Sequence, residues 1–363
     1  MMTFKRRALL QAAGLLGLLP RTAAAAAEAG LRFPRDFGAH PASRLEWWYL
    51  TGLLAAPGAE ARPRWGYQLT FFRLRGPAPD DHPSRLAARQ LLLAHVALSD
   101  LDGRRLLHEQ RLARALPGLA EASEQDCAVN IRDWSLRREG DVYLARFDLA
   151  ATELELRLQT TQPVLLQGQA GISRKGPRPE QFSRYYSQVQ LRSQGTLRRE
   201  RGAVQALQGR SWLDHEWSDQ LLGEAQASER AVGWDWAGIN LDDGGALTIF
   251  QLRRADGSRL WAGGSWRRPD GRTEDFAPEQ LRLRPLRHWR SPLSGADYPL
   301  EWALDTPLGA LRLAALFDAQ EIDARGSTGM RYWEGAAALR SAEGRPLGQG
   351  YLELTGYAGK LSF

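Results

Sequence analysis

Glu153-Leu154-Glu155-Leu156-Arg157-Leu158-Gln159 alternates an apolar with a polar side chain at every step. That period belongs to a half-buried β-strand, whose successive side chains point to opposite faces. The same reading extends outward. Tyr67-Gln68-Leu69-Thr70-Phe71-Phe72 and Ala246-Leu247-Thr248-Ile249-Phe250 are rich in the aromatic and branched residues that suit a pleated surface. Asp-Gly stands at 102–103, 243–244, 256–257 and 270–271, between plausible strand flanks, and such pairs tolerate the positive φ of tight hairpins. Leu91–Ser99 and Arg104–Arg111 read as one antiparallel pair. The one stretch with helical promise, Arg111–Glu121, is interrupted by Pro117-Gly118. The pattern predicts an all-β meander.

The chain also repeats itself. Leu69–Arg75 matches Leu247–Arg253, and a Trp-rich strand precedes each, Glu46-Trp47-Trp48-Tyr49 and Trp234-Asp235-Trp236. Tyr185-Tyr186 is echoed by Tyr332-Trp333, and Gly209–Asp214 by Gly348–Glu353. Matches kept in order, with shifting offsets, are what a duplication leaves when hairpin loops change length. We read two consecutive copies of an antiparallel β-barrel, residues 31–222 and 223–363. Closed barrels have no open edge, and eight-stranded ones hold one small ligand.

Composition is that of a globular chain: 363 residues, 43% hydrophobic and 25% charged, enough for roughly two domains of 150–180 residues. The net charge is +6, but Lys5, Arg6, Arg7 and Arg21 fall in residues 1–27 with no acid, leaving +2 for the rest. Near-neutrality removes the main argument for a nucleic-acid partner. Lysine is scarce, three against 45 arginines, a preference of the kind a GC-rich genome imposes. Cys127 stands alone, so an intrachain disulfide and Cys-based metal sites are excluded. Phosphate-loop and Gly-x-Ser-x-Gly signatures are missing, the six histidines show no ligand spacing, and no cofactor is implied. Thirteen tryptophans are a heavy load, and they must line something.

Residues 1–27 have a cationic start, an apolar core from Ala8 to Leu19 and small residues beyond, the features of an export signal. Arg6-Arg7 followed by Ala8-Leu9-Leu10 resembles a twin-arginine signal. The apolar core is too short to span a bilayer, so the expected product is periplasmic or secreted; a monomer is expected.

The Trp-containing blocks carry a resemblance. Asp36-Phe37-Gly38-Ala39-His40, Glu46–Gly52, Trp212-Leu213-Asp214-His215-Glu216-Trp217, Gly233–Trp236, Tyr332-Trp333-Glu334-Gly335 and Gly350–Tyr357 resemble the lipocalin-like family of carotenoid 1,2-hydratase and the AttH-like secreted proteins. The resemblance implies two lipocalin-type barrels. Its members include hydratases, cyclases of polyenes and exported proteins without a settled activity. It also implies that His215 and Trp217 match the hydratases' His-x-Trp pair, with Asp235, Asp242 and Asp243 open as the downstream aspartate.

On a strand, Leu213, His215 and Trp217 share one face, and Trp212, Asp214 and Glu216 the other. His215 and Glu216 replace Leu354 and Thr355 of the second copy. The stretch is either a buried polar network at the seam between barrels or a reactive site. It is not a zinc-protease motif, which needs a second His one helical turn on. Glu46 beside Trp47-Trp48, with Asp36 and His40 before it, would have a perturbed pKa if buried, or would pair with an arginine. Trp234-Asp235-Trp236 places an acid opposite two indoles, which are either barrel core or ligand lining. The candidate catalytic residues are therefore Asp214, His215, Glu216 and Asp235. The candidate ligand-binding residues are Glu46, Trp48, Tyr185, Tyr186, Trp212, Trp217, Trp234 and Trp236, with no metal ligands.

Two functions fit. One is an exported carrier of a hydrophobic, lipid- or isoprenoid-like ligand, associated with an ABC-type membrane transport system. The alternative is a hydro-lyase or cyclase that protonates an alkene of an isoprenoid or polyene and adds water, using a carboxylic acid kept neutral by burial. N-terminal sequencing of the exported protein should find a chain starting near Glu28; a start at Met1 would show that no signal is cleaved.

Overall fold

The computed structural model describes residues 30–79, 81–84, 87–200, 202–220 and 230–359. The expected export signal over residues 1–27 and the expected boundary at 222/223 lie outside them. The described residues form two antiparallel sheets and no α-helix. The first sheet contains β1 (Leu45–Ala55), β2 (Trp65–Arg75), β3 (Gln90–Asp100), β4 (Arg105–Arg114), β5 (Ala120–Ala122), β6 (Ala128–Ile131) and β7 (Trp134–Glu139). It continues with β8 (Val142–Leu149), β9 (Thr152–Gln159), β10 (Leu165–Leu166), β11 (Ile172–Arg174), β12 (Phe182–Arg199) and β13 (Gln205–Ser218). The second contains β14 (Gly233–Leu241), β15 (Ala246–Arg253), β16 (Arg259–Arg267), β17 (Thr273–Phe276) and β18 (Arg282–Arg290). Its remaining strands are β19 (Asp297–Thr306), β20 (Gly309–Ala315), β21 (Glu321–Ala324), β22 (Met330–Ser341) and β23 (Pro346–Leu354).

Each sheet is a meander whose first strand meets its last. The orders are β4-β3-β2-β1-β13-β12-β9-β8-β7-β6-β5 and β17-β16-β15-β14-β23-β22-β20-β19-β18. Both have the lipocalin-like curl, with one correction to the expected closed barrel. Among the described residues neither ladder runs full circle: β4 and β5 end the first path, β17 and β18 the second. The stretch Arg111–Glu121 is divided between β4, a turn and β5. At Asp102-Gly103 the left-handed residue is Arg104 (φ 49°), not the glycine, whereas Gly244, Gly257 and Gly271 take positive φ as the hairpins require.

Alternation places the cores. Leu154, Leu156 and Leu158 point into the first barrel with Trp48, Leu50, Leu69, Phe71, His215 and Trp134. Ile239, Leu247, Ile249, Trp302, Trp333, Leu352 and Leu354 fill the second. A third core lies between the sheets, where Tyr49, Trp212, Trp236, Phe250 and Tyr351 meet. β1, β2, β13, β14 and β15 are therefore buried on both faces. Gly238 makes room at this junction: a Cβ there would come within 2.5 Å of the Trp236 ring and 3.0 Å of Trp212.

The duplication is visible in the register. Asp214 lies opposite Tyr49, and its counterpart Glu353 lies opposite Trp236. Tyr186 and Trp333 likewise face the counterparts His215 and Leu354. The Leu69–Arg75 and Leu247–Arg253 match, in contrast, runs two residues out of step, since Thr70 faces Tyr49 while Phe250 faces Trp236. A shift of two keeps every side chain on its original face, so the facing survives it.

Each barrel also buries an arginine against an acid. Arg73 Nε donates to Glu46 Oε2 at 2.6 Å, and Arg253 Nε to Asp235 at 3.1 Å. Removing one partner from a buried pair leaves the other charge uncompensated, at a cost of about 3–5 kcal/mol. Arg73→Met should therefore lower stability in urea unfolding by about that amount, while Arg146→Met, at an exposed pair with Glu153, should cost under about 1 kcal/mol. Equal effects would show that the Arg73 pair does not hold the barrel end.

Candidate functional site

A cleft of about 730 Å³, its opening to solvent included, lies between the two sheets. β1 contributes Trp47 and Tyr49, β2 Gln68, Thr70 and Phe72, and β13 Asp214 and Glu216. From the other side come Trp234, Trp236, Phe250, Leu252 and Glu353, with Tyr185 of β12 and Lys175 just after β11. All are outward-facing with respect to their own barrel. The cleft is the space left where two duplicated faces pack on each other.

Its chemistry is acidic. Asp214 is buried and accepts three hydrogen bonds, from Tyr185 Oη to Oδ2 (2.7 Å) and from Ser187 Oγ (2.5 Å) and Trp212 Nε1 (2.6 Å) to Oδ1. Burial pushes its carboxyl up to about 7, outweighing those three donors, and the nearby charge of Glu216 adds to the rise. Glu353, half-buried on the opposite wall, accepts from Trp234 Nε1 at Oε2 (2.8 Å). Among the described residues its Oε1 meets no hydrogen-bond partner. Burial, with the charges of Asp214 and Glu216, likewise pushes Glu353 up to about 7. Beside it in register stands Glu334, fully buried, accepting from Tyr49 Oη. Burial and the Glu353 charge hold Glu334 well above the ordinary carboxylate range, and its Oε2 lacks a partner among the described residues. These acids have no cation of their own: Glu334 is held well above the ordinary range, and Asp214 and Glu353 hold their protons up to about 7.

Glu216 differs. It accepts from Ser183 Oγ and pairs with Lys175 Nζ at 2.9 Å. That ammonium sits over the Phe250 ring at 4.3 Å and beside the Tyr185 ring at 5.0 Å. Trp236 Nε1 donates to Tyr185 Oη at 3.2 Å, so the phenol links an indole to Asp214.

The structure separates the proposed site residues by strand parity. Asp214, Glu216, Tyr185, Trp234 and Trp236 line the cleft, and Trp212 packs in the junction behind Asp214. His215, Glu46, Trp48, Tyr186 and Trp217 do not line it, because they point into the first barrel. There His215 Nε2 and His40 Nδ1 both bond Glu46 Oε1, at 2.8 and 2.7 Å. His40 Nε2 reaches Asp36 at 3.2 Å, and its ring stacks on Trp217 at 3.7 Å. Burial raises Glu46, but the bonds from the two imidazoles and their charges outweigh it and hold the carboxyl well below its usual range. Burial lowers His40, but Asp36 and Glu46 overcome it and raise the imidazole; burial prevails at His215 and lowers it. His40, Glu46 and His215 bring ligand-type atoms within 4.8 Å of one another, the one grouping among the described residues that could hold a metal. With Arg73 on the second Glu46 oxygen, it is already complete as a charge-balanced hydrogen-bond network.

Asp235 also points away from the cleft, into the second barrel, bonded to Gln251 (2.7 Å), Arg253 (3.1 Å) and Tyr357 (2.9 Å). Asp242 pairs with Arg210, and Asp243 caps the Gly245 amide in the β14–β15 turn. None of these three aspartates lines the cleft. The sequence reading missed Glu353, Lys175, Trp47 and Tyr49. Glu353 had a signal, since it is the repeat counterpart of Asp214.

Comparison with known proteins agrees with this architecture. The profile of the AttH-like family matches residues 24–357. A crystal structure of a putative AttH from Nitrosomonas europaea is 41% identical, with a TM-score of 0.82, covering 91% of this chain and 98% of that one. Kievitone hydratase from Nectria haematococca shares the fold at 14% identity and a TM-score of 0.67, covering 91% of this chain and 94% of that one. A search of curated proteins finds no match. Profile and structural relative together show that this chain belongs to the AttH-like family.

Proposed function

We propose that the cleft binds a largely apolar, unsaturated small molecule and adds water across its double bond. The observation that carries this is the pair Asp214 and Glu353. They come from equivalent positions of the two copies, meet across one indole-lined cleft, and are both held at about 7. Two neighbouring acids that both titrate near neutrality can supply one protonated and one ionised carboxyl, the combination that acid–base addition needs.

Glu353 is the proton donor, because it lines the cleft and its Oε1 meets no partner among the described residues. Asp214 is the base, anchored by three donors with a lone pair of Oδ2 to spare. Glu353 gives its proton to one carbon of the double bond. Water bonds to the other carbon and yields a proton to Asp214, and exchange with solvent restores the pair. The faces of Trp234 and Trp236 stabilise positive charge developing on the carbon under attack, worth about 2 kcal/mol when desolvated, or a factor of roughly 30 in rate. Kievitone hydratase, which shares the fold, is a hydratase by name; the acids of this chain carry the proposal. We place the activity outside the cytoplasm on the export signal read from residues 1–27; association with an ABC-type transport system belongs to the carrier reading. Carriage without chemistry is the rival reading, supported by the aromatic lining alone.

pH-difference infrared spectra should show two carboxyl groups with midpoints near 7, one absent in Asp214→Asn and the other in Glu353→Gln. Because the Asp214 charge helps raise Glu353, Asp214→Asn should also lower the remaining midpoint. Between the ordinary values of 3.8 and 4.5 and about 7, the unfolded chain has released protons that the native state still holds. Stability should therefore decline with pH across that window and level off above it.

Mass spectrometry of what co-purifies with the native protein, followed by turnover in ¹⁸O-water, tests the reaction. The label should enter the product, and Asp214→Asn and Glu353→Gln should each lower the rate by about 10²–10⁴. His215→Leu, in the barrel interior, should leave it standing. An unmodified ligand with no label entering would establish carriage, and loss of turnover in His215→Leu alone would move the site into the barrel.

A further inference from the structure

We infer that Lys175 is the recognition group of the cleft and that the ligand it selects carries a neutral carbonyl oxygen conjugated with its double bond. This rests on the cleft reading above and names the substrate class. Lys175 is the sole lysine among the described residues of a chain with 45 arginines. Where other cations are buried beside an acid, at Glu46 and Asp235, the chain uses Arg73 and Arg253. At the cleft wall it uses an ammonium whose side chain is only 6% exposed. A guanidinium needs a planar fork of acceptors; an ammonium is compact and has three rotatable donors.

Those donors are incompletely used. Nζ meets Glu216 Oε1 at 2.9 Å, and its other neighbours are the ring faces of Phe250 and Tyr185. Among the described residues no second oxygen or nitrogen accepts from it. A buried ammonium in this position can donate to an oxygen that enters the cleft. That oxygen is not part of an anion, because Glu216 already balances the ammonium and Asp214 and Glu353 add negative charge as they ionise. A neutral carbonyl takes the hydrogen bond without that repulsion. The flat walls of Trp234, Trp236 and Phe250 suit a planar, conjugated body.

The hydrogen bond also serves the chemistry. Donation from Lys175 to the carbonyl oxygen draws electron density from the conjugated double bond and leaves its far carbon electron-poor. Water adds there and gives its proton to Asp214, while the carbon next to the carbonyl takes the proton of Glu353. The carbonyl is regenerated, and the sum is the addition of one water.

Dimethylaminochalcone and dimethylaminostilbene share two aromatic rings and differ by the carbonyl, so they serve as probes. Binding is read by quenching of tryptophan fluorescence, and donation to the carbonyl by a red shift of the chalcone absorption band. The wild-type protein should prefer the chalcone by about 10- to 100-fold, the worth of one hydrogen bond from a charged donor, and should shift its band. Lys175→Met should abolish both preference and shift while stilbene binding stays. Because that change strands Glu216, the double variant Lys175→Met with Glu216→Gln, checked for folding by circular dichroism, should behave the same way. A folded double variant that keeps the preference and the shift overturns the role of Lys175. Equal binding of the two probes to wild type overturns carbonyl recognition and leaves the cleft reading intact; binding of neither overturns both.

Discussion

Two cores must be filled from one strand. β1 sends Glu46, Trp48 and Leu50 into the first barrel and Leu45, Trp47 and Tyr49 into the space between the sheets. β13, its partner, divides His215 and Trp217 from Asp214 and Glu216 in the same way. Because the side-chain period is two, the allocation is rigid: a slip of one residue would exchange the ionic cluster for the cleft acids. Most of the remaining architecture follows, including double burial of the central strands and a junction lined by the outer faces of both copies.

The same residue type has opposite fates on the two sides of this seam. Glu46 has Arg73 and two imidazoles against it, and it is ionised in spite of complete burial. Glu334, equally buried, has a phenol and another acid for neighbours, and it retains its proton. Burial raises both, and the difference is the supply of cations. Asp214 lies between these limits because three neutral donors partly replace the solvent it lost. The barrel side is thus electrostatically complete, and the cleft side leaves Asp214 and Glu353 without a cation of their own.

Much of this was legible in the residues. Leu154, Leu156 and Leu158 announced their strand, and the face split within Asp214–Trp217 followed from alternation alone. Alternation cannot say which face meets a cavity, so the sequence does not tell Trp47 from Trp48 as lining, nor part His215 from the acids beside it. Glu353 is the repeat counterpart of Asp214, yet only the packing of the two copies turns equivalent positions into opposing ones. Lys175 gave no local pattern; scarcity was its one mark, and composition explains scarcity too. Ladder closure was overread, since a hydrophobic pattern does not specify whether terminal strands β4 and β5 exchange hydrogen bonds.

The pairing of first strand with last has a consequence for how the molecule comes into being. Leu45 of β1 lies opposite Ser218 of β13, so the first sheet cannot be joined before most of its chain has left the ribosome. Until then β1, apolar on both sides, presents a bare edge. The second sheet repeats the delay, since Asp235 waits for Leu354. A topology dominated by such distant contacts folds slowly and leaves edges open to wrong partners. Each sheet therefore keeps an unpaired edge on its first strand until its last strand has been made.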